Sequence, residues 1–182
     1  GASAEHVYSL LSSNPASASE QDSDGNYPLY IAILHSAPLE VVLALISAWP
    51  DGVREPDNAG SLPLHLAVRN QAPLVVVYAL ISAWPDAVRE KNKDGLLPLH
   101  LAVRNQAPLN VVSALISAWP DGVREKTNDG WLPLHYAARY QAPLDVVLAL
   151  ISAWPGGVRE KDKDGSLPLH VAIDKDLKDI LR

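Results

Sequence analysis

The sequence has no cysteine and no methionine. Lacking cysteine, it can form no disulfide and carry out no thiolate chemistry. A cysteine-free chain suits either redox compartment, so localisation is left open with the cytoplasm as the default reading. Without methionine, the Gly1-Ala2-Ser3 start reads as a cut chain with a cloning remnant, which leaves targeting unread. Long apolar runs are also missing. Stretches such as residues 41–49 fall well short of the about 20 residues that span a bilayer, so a soluble chain with no membrane role is expected. Nor is there an excess of basic residues: 15 Lys and Arg stand against 21 Asp and Glu, for a net charge of −6. No long-range field therefore draws in nucleic acid or an anionic membrane, although a local basic strip is compatible with that balance. What is present is apolar content, 48% of 182 residues, ample for a packed interior.

That content is organised by repetition, the first feature to look for because missing it misassigns the whole fold. Leu62-Pro63-Leu64-His65 returns at Leu97-Pro98-Leu99-His100, Leu132-Pro133-Leu134-His135 and Leu167-Pro168-Leu169-His170, each 35 positions on, with a degraded copy at Tyr27-Pro28-Leu29-Tyr30. Ala-Trp-Pro keeps the same period at Trp49, Trp84, Trp119 and Trp154. Cutting before each turn gives full units at 22–56, 57–91, 92–126 and 127–161, flanked by a capping half-repeat at 1–21 and a capping partial repeat at 162–182, all one repeat domain.

Each unit reads as two helices and a turn. Pro63 sits in a first helical turn, where its missing N–H costs nothing, and Asn70 suits a C-cap. Ala72-Pro73 restarts the chain in the same way, and Leu74, Val76, Val77, Leu80 and Ile81 form the apolar stripe of a longer second helix. Pro85 ends it. Residues 86–95 are polar apart from Val88 and close on an Asp-Gly turn, the signal of a hairpin-like connection. So short a helix pair cannot bury both faces alone, so neighbours must stack. Solenoids also need polar ends, expected here from the serines near the start and from Asp174-Lys175-Asp176-Leu177-Lys178-Asp179.

The run Lys163-Asp164-Gly165-Ser166-Leu167-Pro168-Leu169-His170-Val171-Ala172, followed in full units by Leu-x-Val-Val and a helix, resembles the ankyrin repeat. The likeness covers essentially the whole chain and implies an all-α, ankyrin-like helical repeat solenoid with hairpin-like loops between repeats. The sequence departs from the family in three places. Its period exceeds the usual length of about 33 residues. Leu62, Leu97, Leu132 and Leu167 replace the threonine that normally caps the first helix, and tryptophan with proline replaces the glycine that ends the second.

Several residues look chemical. The four histidines recur at about 8–10 Å in stacked helices, whereas a metal needs its ligands within about 2 Å, so consecutive copies cannot chelate together; the resemblance implies instead that they bond backbone groups between units, as the matching ankyrin histidine does. The tryptophans are read as packing, and Arg54, Arg89, Arg124 and Arg159, each followed by glutamate, as a solvated mixed-sign row. The start of a calcium-type loop at 162–165 lacks its downstream ligands. No catalytic constellation, cofactor site or metal site is read, and no enzyme is expected.

Variation between copies is the remaining signal. Units 61–95 and 96–130 match at 29 of 35 positions and differ at Ser61/Leu96, Val75/Asn110, Tyr78/Ser113, Ala87/Gly122, Asn92/Thr127 and Lys93/Asn128, which are read as hairpin and outward helix positions. In ankyrin repeats the hairpin tips and first helices line the concave binding face. The resemblance therefore implies a protein-binding surface at Leu96 and Trp131 on the tips with Arg69, Asn70, Arg104, Asn105, Arg139 and Tyr140 at the first-helix ends; aromatic and arginine side chains are hot-spot types. Leu43, Tyr78 and Leu148 form a second candidate on the second helices. The expected function is noncovalent recognition of a protein partner by a chain monomeric in isolation. The alternative is a structural spacer or engineered repeat scaffold, ahead of nucleic-acid binding through Arg69, Arg104 and Arg139.

Overall fold

The computed structural model describes residues 4–180, with side chains described through residue 176. Gly1-Ala2-Ser3 and the side chains of Leu177, Lys178 and Asp179, part of the charged end expected from sequence, lie outside the described residues. Helices and 3-10 turns make up the regular structure, with no strand among the described residues. First helices are α2 (Pro28–Leu34), α4 (Pro63–Arg69), α6 (Pro98–Arg104), α8 (Pro133–Arg139) and α10 (Pro168–Ile180); second helices are α1 (Ala4–Ser13), α3 (Leu39–Ala48), α5 (Leu74–Ala83), α7 (Leu109–Ala118) and α9 (Leu144–Ala153).

The chain forms two compact units, Gly1–Ala87 and Val88–Arg182. Within the first, α2 packs on α3 and α4, α1 on α3, and α4 on α5. Within the second, α8 lies against α6, α9 and α10, while α7 lies against α6 and α9.

Local chemistry explains each boundary. Pro63 and its equivalents open the first helices, where a proline loses no hydrogen bond. Asn70 stands at the C-cap, as expected, but in a right-handed conformation at φ −92°; the left-handed residue is the next one, Gln71 at φ 55°. Gln71 N–H then reaches Val68 O (3.3 Å) and Ala72 N–H reaches Ala67 O (2.9 Å), which is the Schellman closure normally built on glycine. Ser36, Gln106 and Gln141 take the same conformation.

Pro73 does not repeat the role of Pro63. It is an extended N-cap whose carbonyl accepts from Val76 N–H (2.9 Å) and Val77 N–H (3.3 Å). Helix α5 ends because Trp84 precedes a proline, and the Pro85 ring disfavours the helical region for it; Trp84 is extended at φ −148°, ψ 94°.

The segment after each tryptophan is not the plain polar connection expected. It holds a 3-10 turn, at Pro50–Arg54, Pro85–Arg89, Pro120–Arg124 and Pro155–Arg159, whose inward valine explains why Val88 interrupts the polarity. Val53, Val88 and Val123 are all buried. The residue before that valine lies under the tryptophan. A Cβ on Gly52 would come within 2.8 Å of the Trp49 ring, and on Gly122 within 3.1 Å of the Trp119 ring. The Ala87/Gly122 difference is thus an interior one, not the surface variation read from sequence.

The hairpin tips close on side-chain acceptors. Asp57 Oδ1 accepts from Ala59 N–H and Ser61 N–H, and Asn92 Oδ1 from Asp94 N–H and Leu96 N–H. Asp162 uses its carboxylate the same way, toward Asp164 and Ser166, which accounts for the resemblance to a cation loop. Gly95 is required twice over. Its φ of 76° is left-handed, and a Cβ there would meet the backbone nitrogen of Asn128 at 2.7 Å.

Candidate functional site

The leucine-histidine pair at the start of each first helix is the rigid frame for any surface. No side chain caps Leu97, so its N–H donates to His100 Nδ1 (3.1 Å) instead. A backbone N–H can only donate. His100 Nδ1 must therefore be the acceptor, which leaves the proton on Nε2 to donate to Glu125 O at 3.0 Å, in the next repeat. His135 repeats this with Leu132 N–H (3.2 Å) and Ser166 O (3.2 Å). The bonding to backbone between units expected of these histidines holds for both, and both rings are fully buried. Burial pushes the His135 pKa below the usual imidazole range, opposed by the Ser166 carbonyl.

The arginine row is more than a solvated face. Arg54 lies over the Trp84 ring at 5.4 Å, Arg89 over Trp119 at 5.7 Å and Arg124 over Trp154 at 5.6 Å, each guanidinium reaching the tryptophan of the following repeat. Each contact contributes about 0.5–1 kcal/mol at such exposed sites. Lys91 pairs with Glu125 at 2.8 Å and Lys126 with Glu160 at 2.9 Å in the same forward register. These rows are structural.

One group breaks the repetition. In the second unit Trp131 lies 5.1 Å from the edge-on Tyr136 ring and 6.0 Å from His135, and Tyr136 in turn stacks on Tyr140, 6.1 Å away and 6° from parallel. The Arg104 guanidinium covers Tyr140 at 5.8 Å, and His100 meets Tyr136 edge-on at 5.7 Å. Helix α8 and its C-cap supply the two tyrosines, one turn apart, its hairpin supplies the tryptophan and α6 supplies the arginine. Gln106 Nε2 donates to Tyr140 O (2.8 Å), tying down the end of α8. Burial raises the Tyr136 pKa, opposed by a hydrogen bond with the Thr127 side chain, so its phenol is neutral over the ordinary pH range.

The family model described as ankyrin repeats (3 copies) matches residues 74–158. Residues 74–158 carry ankyrin repeats. No curated protein matches it. Ankyrin repeats are generally protein–protein interaction modules and typically not enzymes. No helix among the described residues is long and apolar enough to cross a membrane.

Against this ankyrin frame the expected site residues separate. Trp131, Tyr140 and Arg104 come together through Tyr136. Leu96 does not belong to any surface, being only 4% exposed. The residue after the hairpin glycine faces inward, and the next tip closes over the turn through Asn128 N–H to Asp94 O (3.3 Å) and Asn128 Nδ2 to Lys93 O (2.9 Å). Ser61 is buried at the same register and Trp131 is half-buried, so Trp131 is not the open tip residue expected. Asn105, half-buried, turns its amide back to Leu101 O (2.8 Å). Arg139 is half-buried at the end of α8. In the first unit Arg69 donates to Tyr30 Oη (3.5 Å), which itself donates to Asp57 (3.3 Å), and Asn70 is a half-buried C-cap. Leu43, Tyr78 and Leu148 are exposed, as read.

Tyr136 was missed. Its equivalents Leu66 and Leu101 are identical, so comparing those two units hides the position; extending the comparison to the third unit exposes it.

Proposed function

We propose that this chain is a protein-recognition module whose contact surface in the second unit is the run Arg104, Tyr140, Tyr136 and Trp131. The observation that carries the reading is the contiguous run of three aromatic rings under an arginine, at the first helix where tyrosine replaces the leucine that follows Leu-His in α4 and α6. Tyrosine, tryptophan and arginine supply most binding hot spots because they offer large, stiff apolar area with a polar end. Tyr140, 37% exposed, and the exposed Arg104 meet the partner, while half-buried Trp131 and Tyr136 hold them in place.

The test is capture on an immobilised chain, identification of the bound protein and titration against Arg104→Ala/Tyr140→Ala. Affinity falls by tenfold or more, about 2 kcal/mol for a hot-spot pair, while thermal stability stays within about 1 kcal/mol of the parent. Undiminished affinity in the double variant removes the proposed surface. Absence of any reproducible partner favours the spacer or scaffold reading.

A further inference from the structure

The arginine that closes a first helix is placed alike in the two units and satisfied differently. In the first unit Arg69 Nη2 donates to Tyr30 Oη (3.5 Å), and that hydroxyl donates to Asp57 Oδ2 (3.3 Å). A carboxylate thus stands behind Arg69, one phenol away. In the second unit both parts of that arrangement are gone. Asn92 and Thr127 hold the register of Asp57, and neither can carry a charge. His100 holds the place before Arg139 that Tyr30 holds before Arg69, but it is buried and already committed to Leu97 N–H and Glu125 O. Among the described residues, neither Arg104 nor Arg139 has a carboxylate within ion-pair distance, and no hydrogen bond engages either guanidinium.

Both guanidiniums border the open end of the aromatic run. Helices α6 and α8 pack against each other and end at the same register, on Arg104 and Arg139. Axes of packed helices lie about 8–10 Å apart, a gap that two arginine side chains can close around one anion. Arg104 covers the exposed Tyr140 ring at 5.8 Å, and Arg139 directly precedes that tyrosine. A guanidinium carries five N–H donors, so contact with a ring leaves others free. The exposed carboxylates Asp94 and Asp129 belong to the hairpin tips, at the opposite ends of the same two helices. Asp174 holds the next register on α10 but makes no ion pair with Arg139.

On the footing that this surface meets a protein partner, we propose that the partner presents an acidic segment, with one carboxylate held between Arg104 and Arg139 and an adjacent large apolar side chain on the Tyr140 ring. The partner's carboxylate supplies what Asp57 supplies to Arg69 in the first unit. Arginine takes a carboxylate through paired, charge-assisted N–H bonds, and the Tyr140 hydroxyl offers one donor more. The ring contributes apolar contact and the guanidiniums contribute selectivity, since a basic segment brought against two unpaired cations is repelled. A nucleic acid fits less well. A chain of net charge −6 repels an extended polyanion, and Asp94 and Asp129 add local negative charge on the tips beside this face.

Short peptides of random sequence displayed on phage, selected on the immobilised whole chain and depleted on Arg104→Ala/Tyr140→Ala, test it. The survivors bind through this surface by construction, and they should be enriched in Asp or Glu beside a large apolar residue. Synthesised and titrated, each should lose about tenfold or more in affinity when its acidic residues become Asn or Gln, and as much on Arg139→Glu. Added salt should weaken the parent complex and leave the amide peptide unaffected. Circular dichroism verifies that the variant folds; if Arg139→Glu does not, Arg104→Glu, at an exposed position, reads the same loss. Survivors without acidic enrichment, or indifferent to both charge reversals, overturn the acidic partner and leave the recognition surface standing. Displacement of the peptides by a single-stranded oligonucleotide overturns it in favour of a polyanion. A selection that yields no peptide able to tell the parent from the double variant overturns the surface and the acidic partner together.

Discussion

Helices α6 and α8 have nearly the same sequence, Pro-Leu-His-Leu-Ala-Val-Arg against Pro-Leu-His-Tyr-Ala-Ala-Arg, and different outcomes. In α6, Leu101 and Val103 are buried and the helix is all interior up to Arg104. In α8, Tyr136 and Ala138 are half-buried, and an aromatic stack runs from Trp131 to Tyr140. The leucine-histidine frame is common to both. Two substitutions on an otherwise repeated helix thus create a distinct surface without disturbing the bonds that hold the repeats together.

The largest expected effect tests whether the frame is shared. Leu97 and Leu132 are both fully buried, and replacing either with alanine costs about 2–5 kcal/mol through lost burial and a residual cavity. Chemical denaturation checks this, and equal losses keep the frame common to both helices. A tolerant Leu132 would make α8 a separate design.

The next test is acid. His135 is neutral in the fold, with its pKa held below the ordinary value of about 6.5, so the unfolded chain takes up a proton first as pH falls. Its contribution is complete above about pH 6.5 and is lost as pH drops through the lowered folded value. Protonating Nδ1 would also remove the acceptor of Leu132 N–H. Melting temperature should fall between about pH 7.5 and pH 5, with a slope shallower in His135→Gln. The smallest effect on stability sharpens the comparison most. Tyr136→Leu, which gives α8 the α6 residue, should leave stability within about 1 kcal/mol yet weaken partner binding, measured by titration, by unstacking Tyr140.

Much of the fold was legible because repetition reveals it. Pro63, the apolar stripe of α5 and the turn glycines each carry a local physical meaning, and the period multiplies the signal. The 3-10 turns were not legible as such. Val88 was the clue, but its burial depends on a tryptophan folding back over Gly52 or Gly122. The left-handed Gln71 also escaped notice, since nothing in its chemistry favours that conformation and the closure at Ala72 imposes it. Of the candidate residues, Trp131, Tyr140 and Arg104 were named from residue type and resemblance and lie together in the structure, while Leu96 is buried and Tyr136, which joins them, was not named. Leu96 is covered by a tip from the next repeat, at Asn128, and Tyr136 shows its difference only against the leucine one repeat earlier, Leu101.

By itself the sequence determined the period and the helix pair within it, because these follow from propensity, proline geometry and hydrophobic spacing over a few residues; the role of the histidines came from the ankyrin resemblance. Only the tertiary structure decided which repeated side chains meet. Burial of Leu96, the arginines over the tryptophans and the aromatic cluster built on Tyr136 all depend on what the adjacent repeat places against them. In a stacked array, exposure belongs to a pair of neighbours rather than to a residue.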